Sequence, residues 1–236
     1  LAGASALAFA IVVIVLTRLR GESTAYVQLL RRLDAAGVPE ALWRLDDGLL
    51  FALGSVLAAR LAYGRGRVAD GLGLARSFAT GAVFALLAGA PMLLHAMLSG
   101  SFRVDASMVR GIVVAPLVEE LVFRAVLLGV AVRVLRWPFW PVAITAGLVF
   151  GSMHVPWDGR FGAQHLGPLL ATSAGGIWYA WIVRAHDWNL WTTVLLHAVM
   201  NGAWMLFGVA EDAAGGASAN IGRGLTILVG TVLTVR

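Results

Sequence analysis

The stretch VEELVFR, residues 118–124, sets two adjacent carboxylates and a guanidinium inside one of the most apolar runs of the chain, directly after GIVVAPL. Ionisable groups in hydrocarbon cost at least a few kcal/mol each, so such a cluster needs a partner or a task. Glu120 and Arg124 stand at i and i+4, share a helix face and can pair. Glu119 is rotated by about 100° from Glu120 and is left over by that pairing. Pro116 lies just upstream, where it removes a backbone donor, so a kink or local opening is expected beside Glu119.

Two further apolar segments carry the remaining polar groups. FGSMHVPW, 150–157, places His154 one turn after Phe150 and ahead of Pro156, which ends or bends a helix. TTVLLHAVMNGAWML holds His197 and Asn201 at i and i+4 on one face. Each feature alone has an architectural reading: an ion pair, an interfacial histidine, helix–helix hydrogen bonding. Together, one spare carboxylate, two imidazoles and one amide form a sufficient set for hydrolysis by an activated water. A carboxylate and an imidazole deprotonate the water, and an imidazole and an amide donate to the oxyanion that forms on a carbonyl. Glu119, His154 and His197 also supply a three-ligand set with an open position for zinc, a second chemistry that these residue types allow.

Other hydrolytic sites are excluded by their missing motifs. The sequence contains no HExxH, no GxGD, and no GxSxG around Ser152 or any other serine. It contains no cysteine, which removes disulfides, thiolate ligands and cysteine nucleophiles together. His95, His165, Asp158 and His186 are weaker candidates; His165 and Asp158, in the stretch after His154, would border the mouth of a cavity.

These residues must be positioned by membrane helices. Of the 236 residues, 59% are hydrophobic and only 13% charged, and the mean hydropathy is +0.82. A soluble domain is nearer a quarter charged, and one core could not hide so much apolar surface. The net charge of +5 comes almost wholly from arginines scattered between apolar segments, which suits juxtamembrane anchoring and gives no concentrated basic face for nucleic acid.

Eight apolar segments are expected to be helical: 2–19, 46–63, 75–98, 108–132, 139–155, 166–184, 190–208 and 219–235. The first lacks a basic leading region and reads as a membrane helix, not as a cleaved signal peptide. Between the first two, Tyr26, Leu29, Leu30 and Leu33 fall opposite Gln28, Arg31 and Arg32, as in an amphipathic helix lying in the interface. The expected architecture is therefore all-α: a single polytopic membrane bundle over 1–236, of about eight transmembrane helices plus the interfacial helix, with its catalytic core at about 108–208. AEDAAGGASANIG is the one clear flexible linker, and the arginines do not decide which side faces the cytoplasm.

EELVFR at 119–124, FGSMH at 150–154 and HAVMN at 197–201 resemble the EExxxR, FxxxH and HxxxN motifs of the CPBP family, the CAAX-protease and bacteriocin-processing group. They occur in that family's order, 26 residues from Arg124 to Phe150 and 43 from His154 to His197. The resemblance implies an eight-span intramembrane glutamate protease, in which Glu119 polarises water together with His154 while His197 and Asn201 form the oxyanion site. Glu120 and Arg124 would support the architecture or position substrate. The implied substrate is a membrane-associated or lipidated protein or peptide, cut near its C-terminus within the lipid bilayer, with no cofactor expected and zinc as the alternative. The implied location is a prokaryotic inner membrane. The rival expectation is a non-enzymatic membrane scaffold or bacteriocin self-immunity protein whose motif charges only pack the bundle.

Overall fold

The computed structural model describes residues 2–21, 24–37, 45–106, 108–155, 162–209 and 215–235. Every regular element among them is helical. The chain runs through α1 (Ala2–Gly21), α2 (Thr24–Ala35), α3 (Leu45–Tyr63) and α4 (Phe78–Ser99). A rod of mixed helical type follows: a π turn at Arg110–Val114, α5 (Ala115–Glu120), then π segments at Leu121–Leu128 and Val130–Val134. The chain continues through α6 (Phe139–Ser152), α7 (Leu166–Ala185), α8 (Leu190–Leu206) and α9 (Ala217–Val235). Among the described residues each of the eight apolar segments falls on a helical stretch, to within a few residues at its ends, and the amphipathic segment at 24–35 is helical too. Pro156, Asp158 and residues 210–214 of the linker lie outside the described residues, as do the side chains of Tyr26 and Leu30.

Among the described residues three helices are long and apolar enough to cross a membrane: Phe78–Ser99, Ala163–Ala185 with its leading 3₁₀ turn, and Ala217–Val235. Their outward faces are hydrocarbon: Leu86, Leu94, Leu98, Leu170, Ile221 and Leu228 are all exposed. A water-soluble protein does not leave such contiguous apolar surface uncovered, so these faces suit lipid. The shorter apolar helices are Ala2–Val15, Gly48–Tyr63, Phe139–Ser152 and Leu190–Leu206.

The rod forms the centre, and residues 120–131 along it are buried without interruption. It is wrapped by α1 and α3 on one side and by α6, α7 and α8 on the other, while α4 packs between α8 and α9. Small residues set these distances. In α3, Gly54 faces Val13 of α1, where an added Cβ would sit 3.1 Å from Val13 Cγ1. Within α4, Pro91 interrupts the helical ladder, and the next amide, Met92 N–H, donates to Thr226 Oγ1 of α9 at 3.1 Å.

The α6–α7 seam is tight. A Cβ at Gly147 would lie 2.9 Å from the Ser173 carbonyl oxygen, and one at Gly151 would overlap Ser173 Oγ and lie 2.8 Å from Leu169 O. Gly151→Ala should therefore force the two helices apart and cost about 1–3 kcal/mol, read as a lower thermal midpoint. Gly175→Ala is the control, because nothing lies within 4 Å of its added carbon; equal midpoints for the two variants would refute the packing argument.

At one end of the bundle the loops interlock. Arg133 Nη1 donates to Gly71 O at 2.7 Å, Trp191 Nε1 to Leu74 O at 3.1 Å, and Asn189 Nδ2 to Ser77 O at 3.0 Å. Gly73 has φ +76°, and an added Cβ there would collide with the Trp188 carbonyl, so this turn requires glycine. His186 caps α7 beside them, its ring 4.5 Å from that of Phe84. Burial lowers the His186 pKa below its usual value, with Asp187 opposing the shift. The unfolded chain therefore binds the proton more readily, and the stability from this residue, complete above about pH 6.5, is lost as the pH falls through the folded-state pKa. Thermal midpoints should drop with acidification below that point and drop less in His186→Phe; parallel pH profiles would count against the assignment.

Candidate active site

The rod places Glu119 and Glu120 at the C-terminal end of α5, where the helix passes from α to π register. Departures of this kind widen a helix locally and recur at functional sites. Glu120 is fully buried, and its two oxygens are divided between two partners. Oε2 lies 3.2 Å from Arg124 Nε in an ion pair, and Oε1 accepts from His197 Nδ1 at 3.1 Å. The pairing expected from the i,i+4 spacing is present, but nothing in that spacing indicates that Glu120 also holds an imidazole from α8.

Arg124 is 2% exposed and ties the rod to α7 through Nη2, which donates to Gly176 O at 3.4 Å. Its guanidinium lies over the Phe150 ring at 4.6 Å and the Tyr179 ring at 5.4 Å. The glycine at 176 permits this approach, since a Cβ there would sit 3.2 Å from both Gly147 Cα and the Phe150 ring. The Arg124 Nε–Glu120 Oε2 contact is off hydrogen-bond alignment, and Arg124 Nη1 is buried without a hydrogen bond. Electrostatic attraction and ring contacts therefore hold this group more than directed hydrogen bonds do.

Glu119 is the freer carboxylate. Its Oε2 has no hydrogen-bond partner and lies 3.9 Å from His197 Nε2, with the side chain 29% exposed. His197 thus has one carboxylate at each ring nitrogen, Glu120 in direct contact and Glu119 across a short gap. With Nδ1 donating to Glu120 Oε1, the Nε2 edge is left toward Glu119. One turn further along α8, Asn201 Nδ2 donates to Gly111 O at 2.8 Å.

His154 sits in the turn that follows α6, its backbone N–H bonded to Gly151 O at 3.0 Å. Its Nδ1 donates to the Phe150 carbonyl at 2.8 Å and its ring packs on that of Phe150 at 4.6 Å. A carbonyl can only accept, so Nδ1 carries hydrogen, and in the neutral ring Nε2 is the basic nitrogen. Phe150 is the physical link to the cluster, with His154 and the Arg124 guanidinium both on its ring. No hydrogen bond or ion pair joins His154 to Glu119 or His197. Among the described residues no group of three or more His, Asp or Glu is arranged to hold a metal.

Tyr179 is a neighbour that the sequence reading did not single out. Its ring meets the His197 ring edge-on at 5.7 Å, and its hydroxyl donates to Met200 Sδ at 3.3 Å. The signal in the sequence is the pair Gly175–Gly176, small residues that admit a close helix approach one turn before Tyr179. Of the weaker candidates, His95 belongs to a separate cluster with Ser218 Oγ at 3.1 Å, and His165 Nδ1 accepts from Gly162 N–H at 3.0 Å.

No curated protein and no solved structure matches the chain significantly. Residues 103–203, the span that carries all three motifs, match the family described as type II CAAX prenyl endopeptidase Rce1-like.

Proposed function

We propose that this protein is an intramembrane endopeptidase that uses Glu119 and His154 to activate water against a peptide bond near the C-terminus of a membrane-associated or lipidated protein or peptide. One observation carries the reading: a carboxylate with an unpartnered oxygen faces an imidazole that a second, buried carboxylate holds in place, amid apolar helices. In a purely structural ion-pair network Glu119 would be expected to have found a direct partner.

The water proton passes to Glu119 or to His154 Nε2, the hydroxide oxygen bonds to the carbonyl carbon, and the carbonyl electron pair becomes an oxyanion. In its protonated form His197 donates from Nε2 as well as Nδ1, and with the second N–H of Asn201 it stabilises that oxyanion. Collapse breaks the C–N bond, and the proton taken from water goes to the leaving nitrogen. The eight long helical stretches serve as membrane spans, α2 lies in the interface, and the setting is a prokaryotic inner membrane.

The rival reading, a scaffold or self-immunity protein, draws on the Glu120–Arg124–His197 network, which joins the rod to α8 and, through Arg124, to α7. Membrane proteins with their native lipids, incubated with and without the purified protein, separate the two by mass spectrometry of C-terminal peptides. New C-termini that depend on the protein support a peptidase, and identical peptide sets support the scaffold. A parallel incubation with chelator distinguishes water activation by Glu119 and His154 from a zinc-dependent route.

A further inference from the structure

The Gly111 carbonyl has lost the donors that its own helix would ordinarily offer. Ala115 N–H, its α-register partner, is bonded to Arg110 O instead, because this turn runs in the wider π register. The next donor in that register belongs to residue 116, which is proline and has no N–H. The orphaned oxygen is met from another helix, by Asn201 Nδ2 at 2.8 Å. Gly111 packs against the end of the Met205 side chain of α8, where an added Cβ would lie 2.6 Å from Sδ.

We infer that Pro116 is a positioning residue for Asn201. By ending the π turn without a donor, it reserves the Gly111 carbonyl for the Asn201 amide. That bond fixes which way the amide is flipped, because the reversed amide would set two acceptors face to face. One Nδ2 hydrogen is thereby engaged and the other stays available to an oxyanion. The local opening that Pro116 implies in the sequence is thus a vacated hydrogen-bond position occupied by a side chain from α8. This inference rests on the proposed role of Asn201 for its catalytic meaning, but the coupling between residues 116 and 201 stands independently of it.

The test is a double-mutant cycle in the full chain. Asn201→Ala leaves the Gly111 oxygen without a partner in the wild-type background and should lower the thermal midpoint. In Pro116→Ala the new N–H can take that oxygen, so adding Asn201→Ala should lower the midpoint by less than half as much. Equal drops in the two backgrounds overturn the inference. Pro116→Ser restores the same N–H and replaces Pro116→Ala if that variant does not fold. Wild-type protein labelled with ¹⁵N-asparagine adds a readout that needs no folded variant at position 116. One side-chain N–H of Asn201 should exchange slowly and its geminal partner fast, and equally fast exchange of both overturns the inference. With a peptide substrate, Pro116→Ala should lower kcat about tenfold with KM unchanged, as for loss of an interaction made in the transition state; an unchanged kcat removes the positioning role. If wild-type protein cleaves nothing, the proposed function fails, while the exchange pattern and the coupling are decided by their own measurements.

Discussion

Replacing Glu119 with Gln should lower peptide hydrolysis by roughly 10²–10⁴-fold, the range that a positioned acid–base group contributes, and leave the thermal midpoint where it is. The structure separates the two effects. Glu119 is partly exposed and its Oε2 accepts no hydrogen bond, so the nearly isosteric amide removes a charge and a base without emptying a packed site. The measurement pairs a cleavage assay on an identified substrate with thermal unfolding of the same preparation. Retention of full activity would remove Glu119 from the chemistry, and collapse of the fold would make it an architectural residue.

Arg124→Ala should have the opposite profile, with stability as its first casualty. It leaves the fully buried Glu120 carboxylate without its cation, and breaking one side of a buried pair costs about 3–5 kcal/mol. It also removes the guanidinium that joins the rod to α7 at Gly176 and packs on Phe150 and Tyr179. A more discriminating variant is the double substitution Glu120→Leu with Arg124→Met. Exchanging a buried ion pair for apolar groups of similar volume is often close to neutral for stability, so this protein should fold. It should nevertheless hydrolyse poorly, because His197 loses the Oε1 contact that orients its ring. Normal activity in the folded double variant would show that Glu120 serves the bundle alone.

The structure keeps the division of the EE doublet that its spacing indicates and adds a second partner for Glu120. The i,i+4 relation assigned Glu120 to Arg124 and left Glu119 over, and both parts are present in the structure. Spacing within one helix says nothing about the second oxygen of a carboxylate, however, and Glu120 uses it to hold His197 from a helix 77 residues later in the chain. His154 shows the same limit. Its place after Phe150 was legible, whereas its Nδ1 bond to the Phe150 carbonyl, which decides the tautomer, depends on how the chain turns at the end of α6.

The sequence by itself determined the helices and the inventory of the candidate site. Apolar runs long enough to bury or span, broken by polar and glycine-containing stretches, leave few alternatives to helix where backbone groups must bond within their own segment. Ionisable residues are so costly in those runs that their positions alone marked 119, 120, 124, 154 and 197. Tertiary structure decided the pairing: which carboxylate binds His197, that Tyr179 and Gly176 complete the surroundings of Arg124, and that Asn201 answers the carbonyl left vacant by Pro116. The physical reason is that hydrogen bonds and ion pairs are directional and short, so they depend on helix rotation and approach to within an ångström. Those quantities are set by packing between helices, through glycines such as Gly111, Gly147 and Gly176, and no periodicity along a single helix records them.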